Sequence, residues 1–265
     1  MKISVIIPTY KPKDYLWECL DSLAAQTFTK DEFEVILVLN GCDEPYRSQI
    51  QKYIEDHKDE MDLKFLHTLQ GGVSNARNMA LEQAEGQFIC FIDDDDYVSE
   101  TYLERLHDKA GEDTIVISDT YYFEDGKADI QIPDRMTELF GLMSPEGKAD
   151  FIKGRRFLFN GCMKLIPSKM IGGRRFDTSF TIGEDCMFMF MISDRLRYVD
   201  FTSADAIYYR RIRPDSALHS HTDRWKIFLN DMKLVTGYIK IYLRGLRRYS
   251  FHFFLTRLRG ALHLI

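Results

Sequence analysis

Three short, mostly apolar runs, each ended by polar residues, constrain the fold of this chain most strongly. They are Ile3–Ile7, Phe33–Leu39 and Phe88–Ile92. Runs of this length without polar alternation are typical of strands that are buried on both faces. Segments with helical spacing of apolar residues separate the runs. The sequence therefore predicts an α/β protein with a mostly parallel sheet and helices on both of its faces.

Polar residues follow each run at the predicted carboxyl end of its strand. Pro8-Thr9-Tyr10 follow the first run, Asn40-Gly41 the second and Asp93–Asp96 the third. In open parallel sheets the ligand crevice lies beyond these ends, so we expect the three loops to meet at one edge. Four adjacent carboxylates repel one another, and their place against a buried strand indicates that something positive binds there. A solvated acidic loop is the alternative interpretation.

The second half of the chain departs from the strand–helix rhythm. Asp119 to Asp134 predicts a hairpin, with Asp125-Gly126 as its turn. Ser144-Pro145 predicts a helix start, because serine is a good N-cap and proline suits the first helical position. Residues 156–166 are expected to be extended and residues 184–196 to be helical.

Composition narrows the class of protein. The chain has 265 residues, of which 45% are apolar, so it can bury one substantial core. Its five cysteines lack any Cys-x-x-Cys spacing, which favours reduced thiols in the cytosol over a zinc site or a disulfide framework. No apolar run approaches the roughly 20 residues that span a bilayer. These features predict a cytoplasmic protein that is soluble, or at most peripheral at the inner face of the plasma membrane.

The charge is distributed unevenly along the chain. From Arg224 onward there are nine lysines and arginines against Asp231 alone, a net charge of +8, which leaves −14 for the rest of a chain whose total is −6. An acidic body argues against nucleic acid as its ligand. The basic tail mixes arginine with aromatic residues and leucine at roughly helical spacing. It predicts contact with an anionic membrane surface, contact with a partner or second copy, or a plain core helix.

Six segments together carry a resemblance to a known family. They are "SVIIPTY", "FEVILVLNG", "GGVSNARNMALEQAEGQFICFIDDDDYVS", "FNGCMKLIPSKMIGGRRFD", "TIGEDCMF" and "YYRRIRPDSALHS". In this combination the chain resembles the family 2 glycosyltransferases of the GT-A fold, including bacterial enzymes of capsule, O-antigen and exopolysaccharide synthesis. The resemblance extends from about residue 3 to 222 and implies a nucleotide-sugar-binding half (1–118) and an acceptor and catalytic half of the same domain (119–222). The basic amphipathic helical tail (223–265) follows from its charge and spacing.

The resemblance also implies roles for the residues at the strand ends. Asp93 and Asp95 would form an Asp-x-Asp clamp for Mn²⁺ or Mg²⁺, with Asp93 mainly on the ribose side. Nucleotide binding would further involve the residues that match the family's other positions at this edge: Pro8, Thr9, Tyr10, Asn40, Arg77 and Asp94. A variable residue usually fills the Asp94 position, and many relatives carry aspartate where this chain has Asn40.

The downstream acids match the family's catalytic pair. Asp185 would accept the proton of the acceptor hydroxyl, and Glu184 would orient it or touch the acceptor. His219 would approach the metal, as a histidine does in some GT-A enzymes. A flexible polar loop is the alternative interpretation of this segment. Lys164, Arg211 and Arg213 are further candidates to close over the phosphates.

Together these observations predict a metal-dependent inverting transferase. It would move a sugar from a nucleotide diphosphate, most readily UDP, onto a saccharide hydroxyl, with an acceptor that could be lipid-linked and a chain that could form homo-oligomers. One alternative is a nucleotidyltransferase, although "PTYKPKDY" lacks the glycine-rich phosphate loop of that class. The other is a non-catalytic nucleotide-sugar-binding subunit, which would not need the Glu184-Asp185 pair.

Overall fold

A computed structural model describes residues 2–180, 182–213 and 224–262. Within these ranges, strands and helices alternate through the first half of the chain and become irregular in the second. The strands are β1 Ile3–Thr9, β2 Phe33–Asn40, β3 Leu63–Thr68, β4 Phe88–Phe91, β5 Tyr97–Val98, β6 Thr114–Ile117, β7 Asp119–Glu124, β8 Lys127–Ile132, β9 Ala149–Asp150, β10 Lys164–Pro167, β11 Tyr198–Phe201 and β12 Ile207–Ile212. The helices are α1 Tyr15–Ala24, α2 Tyr46–Asp56, α3 Val73–Gln83, α4 Tyr102–Asp108, α5 Arg135–Met143, α6 Ser168–Ile171, α7 Glu184–Ile192, α8 Arg224–Arg244 and α9 Phe251–Leu262.

The central sheet has eight strands in the order β3-β2-β1-β4-β10-β6-β11-β9. The strands β3, β2, β1 and β4 run parallel to one another, and β10 is antiparallel to both of its neighbours. All residues of β1 and β2 are buried, as expected for apolar strands that helices cover on both faces. The α/β class and the mostly parallel sheet predicted from the sequence are confirmed.

A second sheet stands where β4 ends. Its order is β5-β12-β7-β8, and β12 lies parallel to β7 but antiparallel to β5. The strands β7 and β8 form the hairpin predicted over 119–134. Because β5 follows the four aspartates directly, this small sheet places the side chains of β12 beside them.

Two predictions for the second half are wrong. The helix lies before Ser144, since Asp134 forms a capping box with Thr137 and starts α5 nine residues earlier, and Ser144–Glu146 is only a short 3-10 turn. Only the end of the 156–166 segment is extended, because Arg155–Phe157 forms another 3-10 turn and the strand begins at Lys164. Ser144 and Pro145 start no more than this turn, because Gly147 adopts φ +66° directly after it and ends the helical conformation.

The two tail helices pack on the body. Buried residues of α8 and α9 lie against α7 and against each other: Leu234, Tyr238, Phe253, Phe254 and Ala261. Tyr249, between the helices, donates a hydrogen bond to the Met191 carbonyl at 3.0 Å. Among the residues described, no helix is both long and apolar enough to span a bilayer.

Candidate active site

The loops after β1, β2 and β4 lie side by side, as the strand order β2-β1-β4 requires. The buried Asn40 side chain connects this edge: its Nδ2 donates to the Thr9 carbonyl at 2.7 Å, and its Oδ1 accepts from the Gly72 N–H at 2.9 Å. The predicted meeting of the three loops is therefore observed. The structure shows Asn40 holding the loops in place, and its contact with a nucleobase stays a prediction.

At this edge two backbone segments lie so close together that only glycine fits. Gly41 has φ +67°, and a Cβ there would stand 2.8 Å from the Gly71 Cα. Beside it Tyr10 is 53% exposed, whereas Pro8 and Thr9 are buried in β1. Among the three residues after the first apolar run, Tyr10 alone presents its side chain to an incoming ligand.

The four aspartates face different partners. Thr9 Oγ1 donates to Asp94 Oδ2 at 2.5 Å, and the Asp93 N–H donates to the Tyr208 hydroxyl at 3.0 Å. The Asp93 side chain is 44% exposed and that of Asp95 is 15% exposed, while Asp96 is buried. Of the two carboxylates in the predicted clamp, Asp93 is accessible and Asp95 is only slightly exposed, and Asp96 is enclosed.

Burial raises the pKa of three of these carboxyl groups. The pKa of Asp94 is raised to about 7, mainly by burial and further by its acidic neighbours, against the hydrogen bond from Thr9. Burial and then Asp93 raise the pKa of Asp95, and burial followed by Asp95 and Asp93 raises the pKa of Asp96 well above its usual range. Both causes disfavour the anion, and a bound cation would offset both.

The donor set fits a hard divalent cation only in part. Asp93 and Asp95 offer carboxylate oxygens, the ligands that Mg²⁺ and Mn²⁺ prefer. Within the described residues no group of three or more potential ligands is assembled. The diphosphate of a substrate or water would have to complete the coordination. His219, the third predicted ligand, lies outside the described residues.

Arg77 on α3 connects the two acidic parts of the site. Its Nη2 lies 3.0 Å from Asp93 Oδ1, and its Nη1 lies 2.6 Å from Asp185 Oδ1 and 3.4 Å from Glu184 Oε1. The side chain is only 3% exposed, and its guanidinium carbon lies 5.9 Å from the centroid of the Phe91 ring and 5.4 Å from that of the Phe176 ring. The guanidinium is thus engaged by three carboxylates of the protein, and a direct contact with the nucleotide stays a prediction.

The pair Glu184-Asp185 occupies the first turn of α7. Gly183 precedes it with φ +83°, and Leu234 of α8 packs against that glycine. Burial raises the pKa of Asp185, while Arg77 is the strongest influence that lowers it. Burial, and then repulsion from Asp185, raise the pKa of Glu184 to about 7. Arg77 therefore opposes the effect of burial on both carboxyl groups, whose pKa values nevertheless stay above their usual range.

Lys164 does not face a phosphate site, and that prediction is wrong. It is fully buried, and its Nζ donates to Asn160 Oδ1 at 2.6 Å and to the carbonyls of Asn160 and Cys162 at 2.9 and 2.5 Å. Burial lowers its pKa to about 8. The loop that it holds includes Gly161, whose backbone hydrogen bond to Asp185 lowers the pKa of that carboxyl.

The small sheet adds two arginines to the aspartate cluster. Arg213 Nε lies 2.6 Å from Asp95 Oδ2. The Arg211 N–H donates to Asp96 Oδ1 at 2.9 Å, and its Nε donates to the Asp95 carbonyl, also at 2.9 Å. Arg211 further pairs with Glu18 and Asp125. Arg213 holds a carboxylate of the predicted metal clamp, whereas Arg211 is committed to the protein.

Sequence reasoning missed the bridging role of Arg77 and the loop-holding role of Lys164. Each is a single cation, and the acids that it binds or influences lie at distant positions in the sequence. The "ARN" segment and the lysine after "NGCM" draw attention to these positions, but no spacing rule reveals which carboxylate or carbonyl they meet.

Comparison with curated proteins gives partial relatives. Poly(ribitol-phosphate) β-N-acetylglucosaminyltransferase TarS of Staphylococcus aureus is 43% identical over 106 residues, 39% of this chain and 18% of that protein. The uncharacterized glycosyltransferase EpsJ of Bacillus subtilis is 28% identical over 223 residues, 81% of this chain and 62% of that protein. The chain thus spans less than two thirds of the length of either relative.

Solved structures share the fold. S. aureus TarS 1–349 in complex with UDP-GlcNAc has a TM-score of 0.78 at 23% identity, covering 100% of this chain and 72% of that one. Mannosyltransferase PcManGT from Pyrobaculum calidifontis, in complex with GDP-Man and Mn²⁺, has a TM-score of 0.63 at 16% identity and covers 99% and 73%. These likenesses confirm the predicted GT-A fold. The model of glycosyl transferase family 2 matches residues 4–191, and the chain belongs to that family.

Proposed function

We propose that this chain transfers a sugar from a nucleotide-diphosphate donor to a saccharide hydroxyl, with inversion at the anomeric carbon. The observation that carries the proposal is the bridge through Arg77, which joins Asp93 after β4 to Asp185 at the start of α7. A carboxylate of the donor clamp and the candidate base therefore belong to one cluster. A transfer reaction needs this proximity, because donor and acceptor must meet in one cavity.

The donor would lie across the carboxyl ends of β1, β2 and β4. The exposed Tyr10 ring and the loops joined by Asn40 would receive the nucleoside. Asp93 and Asp95 would hold Mn²⁺ or Mg²⁺, which when bound neutralises charge on the leaving diphosphate. UDP is the first nucleotide to test, since a structural neighbour holds UDP-GlcNAc, and GDP is the comparison, since another holds GDP-Man.

Asp185 would serve as the base. As the acceptor oxygen bonds to the anomeric carbon, its proton passes to the Asp185 carboxylate, and the bond from that carbon to the diphosphate breaks with its electron pair leaving on the nucleotide. Arg77 supports this role because it opposes the effect of burial on the pKa of Asp185. Glu184 would orient the acceptor or the base.

The acceptor would belong to a bacterial cell-surface polymer. This part of the proposal rests on the names of the relatives: TarS acts on poly(ribitol-phosphate), and GgaB of Bacillus subtilis is a minor teichoic acid biosynthesis protein. The reaction would take place at the cytoplasmic side, where nucleotide sugars are made.

Release of UDP from UDP-GlcNAc, with candidate acceptors and Mn²⁺, tests the function, and proton NMR of the product gives its anomeric configuration. We expect acceptor-dependent release and an inverted product. A retained configuration would refute the inverting mechanism. Tight UDP binding without turnover on any donor or acceptor would instead favour the non-catalytic subunit.

A further inference from the structure

The helix α8 is apolar on two opposite faces. Its inner face includes the buried Leu234 and Tyr238, which pack against the body. Its outer face carries large side chains that are exposed: Trp225 at 66%, Leu243 at 58%, Leu229 at 51%, Met232 at 40%, Ile239 at 39% and Phe228 at 36%. We name these six residues the outer stripe. A contiguous exposed stripe of this kind marks an interaction surface, because isolated monomers rarely leave one in water.

Cations line one edge of the outer stripe. Lys240 and Arg244 are exposed and lie one turn apart on the same side of α8. Lys233 lies two turns before Lys240 on that side, and its Nζ donates a hydrogen bond to the Ser179 carbonyl of the body. Asp231 is the sole acid in the tail from Arg224 onward, and it is buried on the inner side. The outer surface of α8 thus combines apolar and aromatic side chains with positive charge that no acid of this helix offsets.

This charge pattern argues against pairing of α8 with a second copy. Trp225, Leu229, Met232, Ile239 and Leu243 have coiled-coil spacing, so self-association is the obvious rival. Antiparallel pairing would bring the two cationic edges together. Parallel pairing would set the cations against Phe228, Val235 and Tyr242, which offer no anion. An anionic surface complements both features at once.

We propose that the outer stripe and its cationic edge bind the surface of a membrane that contains anionic lipids. A helix of this kind lies in the interface with its apolar face among the acyl chains and its cations at the headgroups. The inner face is fixed beside the candidate active site, because Leu234 packs on Gly183 and Asn230 Nδ2 donates to the Ile182 carbonyl at 3.2 Å. Docking would therefore hold Glu184-Asp185 near the membrane. The inference concerns location and does not depend on the transfer chemistry.

Flotation of the full chain with vesicles tests the proposal. We expect binding to phosphatidylcholine vesicles in which one lipid in three is phosphatidylglycerol, weak binding to pure phosphatidylcholine, and loss of binding at high salt. The double variant Lys240→Gln/Arg244→Gln should weaken partition roughly fivefold for each cation removed. The double variant Leu229→Ser/Leu243→Ser should reduce it at least tenfold.

Matched controls change the same residue types elsewhere on the surface. Leu69→Ser/Leu142→Ser removes two exposed leucines, and Lys58→Gln/Lys169→Gln removes two exposed lysines. Neither control should alter vesicle binding. Circular dichroism of each variant checks that the fold persists.

Trp225 supplies an independent readout of insertion. The chain has two tryptophans. Trp17 lies in α1, where it stacks on Tyr53, so Trp17→Phe leaves Trp225 as the single reporter. We expect a blue shift of its emission and quenching by brominated lipids with anionic vesicles. Absence of binding to anionic vesicles at low salt would overturn the proposal. So would a dimer, seen by light scattering, that Leu229→Ser/Leu243→Ser dissociates while vesicles bind neither form.

Discussion

The aspartates Asp93–Asp96 and the pair Glu184-Asp185 are both partly removed from water, and the fold positions them by different means. The aspartates follow β4 directly, so the end of one strand places all four. The pair depends on distant residues: Arg77 on α3 binds it, Lys164 holds the neighbouring loop, and Leu234 packs against the glycine before it. The end of β4 thus sets where the aspartates lie in the fold, although residues of other elements bind their side chains, whereas the candidate base is placed by contacts across the chain.

The two arrangements predict different effects of mutation. A change at Asp95 should affect ligand binding and leave the contacts of Asp185 unaltered, whereas Asp93 shares Arg77 with Asp185. A change at Arg77 or Lys164 should affect the base from a distance.

Asp185→Asn should reduce turnover by about 10² to 10⁴, the usual contribution of a general base. Affinity for UDP should stay within about threefold of the parent, because the aspartate cluster is unchanged. UDP release and calorimetry measure the two quantities. Asp177→Asn, on an exposed loop, is the control. Turnover comparable to the parent would remove Asp185 from its role.

Arg77→Met should lower the free energy of unfolding by about 3 kcal/mol near neutral pH, because it leaves three carboxylates without their shared cation. The deficit should shrink in acid, since protonation removes the charges that Arg77 balances. Urea unfolding at several pH values measures it. A variant as stable as the parent at neutral pH would show that the bridge contributes little.

Lys164→Met should lower kcat/KM roughly tenfold at neutral pH and move the acid limb of its pH profile upward. The lysine charge and the Gly161 hydrogen bond both lower the pKa of Asp185, so losing them raises that pKa and delays ionisation of the base. The difference in kcat/KM between the parent and the variant should narrow as the pH rises above the raised pKa of Asp185. Lys169→Met on the surface is the control. A uniform loss with an unchanged pH profile would indicate a purely structural lysine.

Glu184→Gln should stabilise the fold in alkali by about 1 kcal/mol and leave its stability unchanged in acid. Burial raises the pKa of Glu184 to about 7, so the folded state favours the protonated acid. The free energy of unfolding of the parent therefore falls as the pH rises from the usual pKa of glutamate through about 7, and that of the glutamine variant does not. Denaturation at about pH 4.5 and pH 8 gives the comparison, and a gain in acid instead would contradict the sign.

The sequence was sufficient for the first half of the fold because its strands are mostly apolar runs. The strand Phe33–Asn40 forms at the run Phe33–Leu39, and the helix Tyr46–Asp56 lies in the segment that follows it. It failed around Ser144, where a good N-cap and a proline start a turn that Gly147 ends after three residues. It also gave no helix for 135–143, which the capping box at Asp134 starts.

The site was predictable to the extent that its residues are adjacent in sequence. Asp93–Asp96 and Glu184-Asp185 stand in short motifs, and the structure brings both to one cluster. The burial of Lys164 and the carboxylates held by Arg77 and Arg213 depend on tertiary contacts that no periodicity encodes. A lone cation in a sequence reveals neither its partner nor its exposure.

The central claim is that the aspartates form a metal-dependent nucleotide clamp, and calorimetry of UDP binding tests it most directly. The parent and Asp95→Asn are titrated with UDP, and with GDP for comparison, in Mn²⁺ and then in EDTA. We expect UDP to bind the parent in Mn²⁺ and to lose at least tenfold in affinity in EDTA or in the variant. Binding that needs neither metal nor Asp95, or no binding of either nucleotide, would contradict the claim.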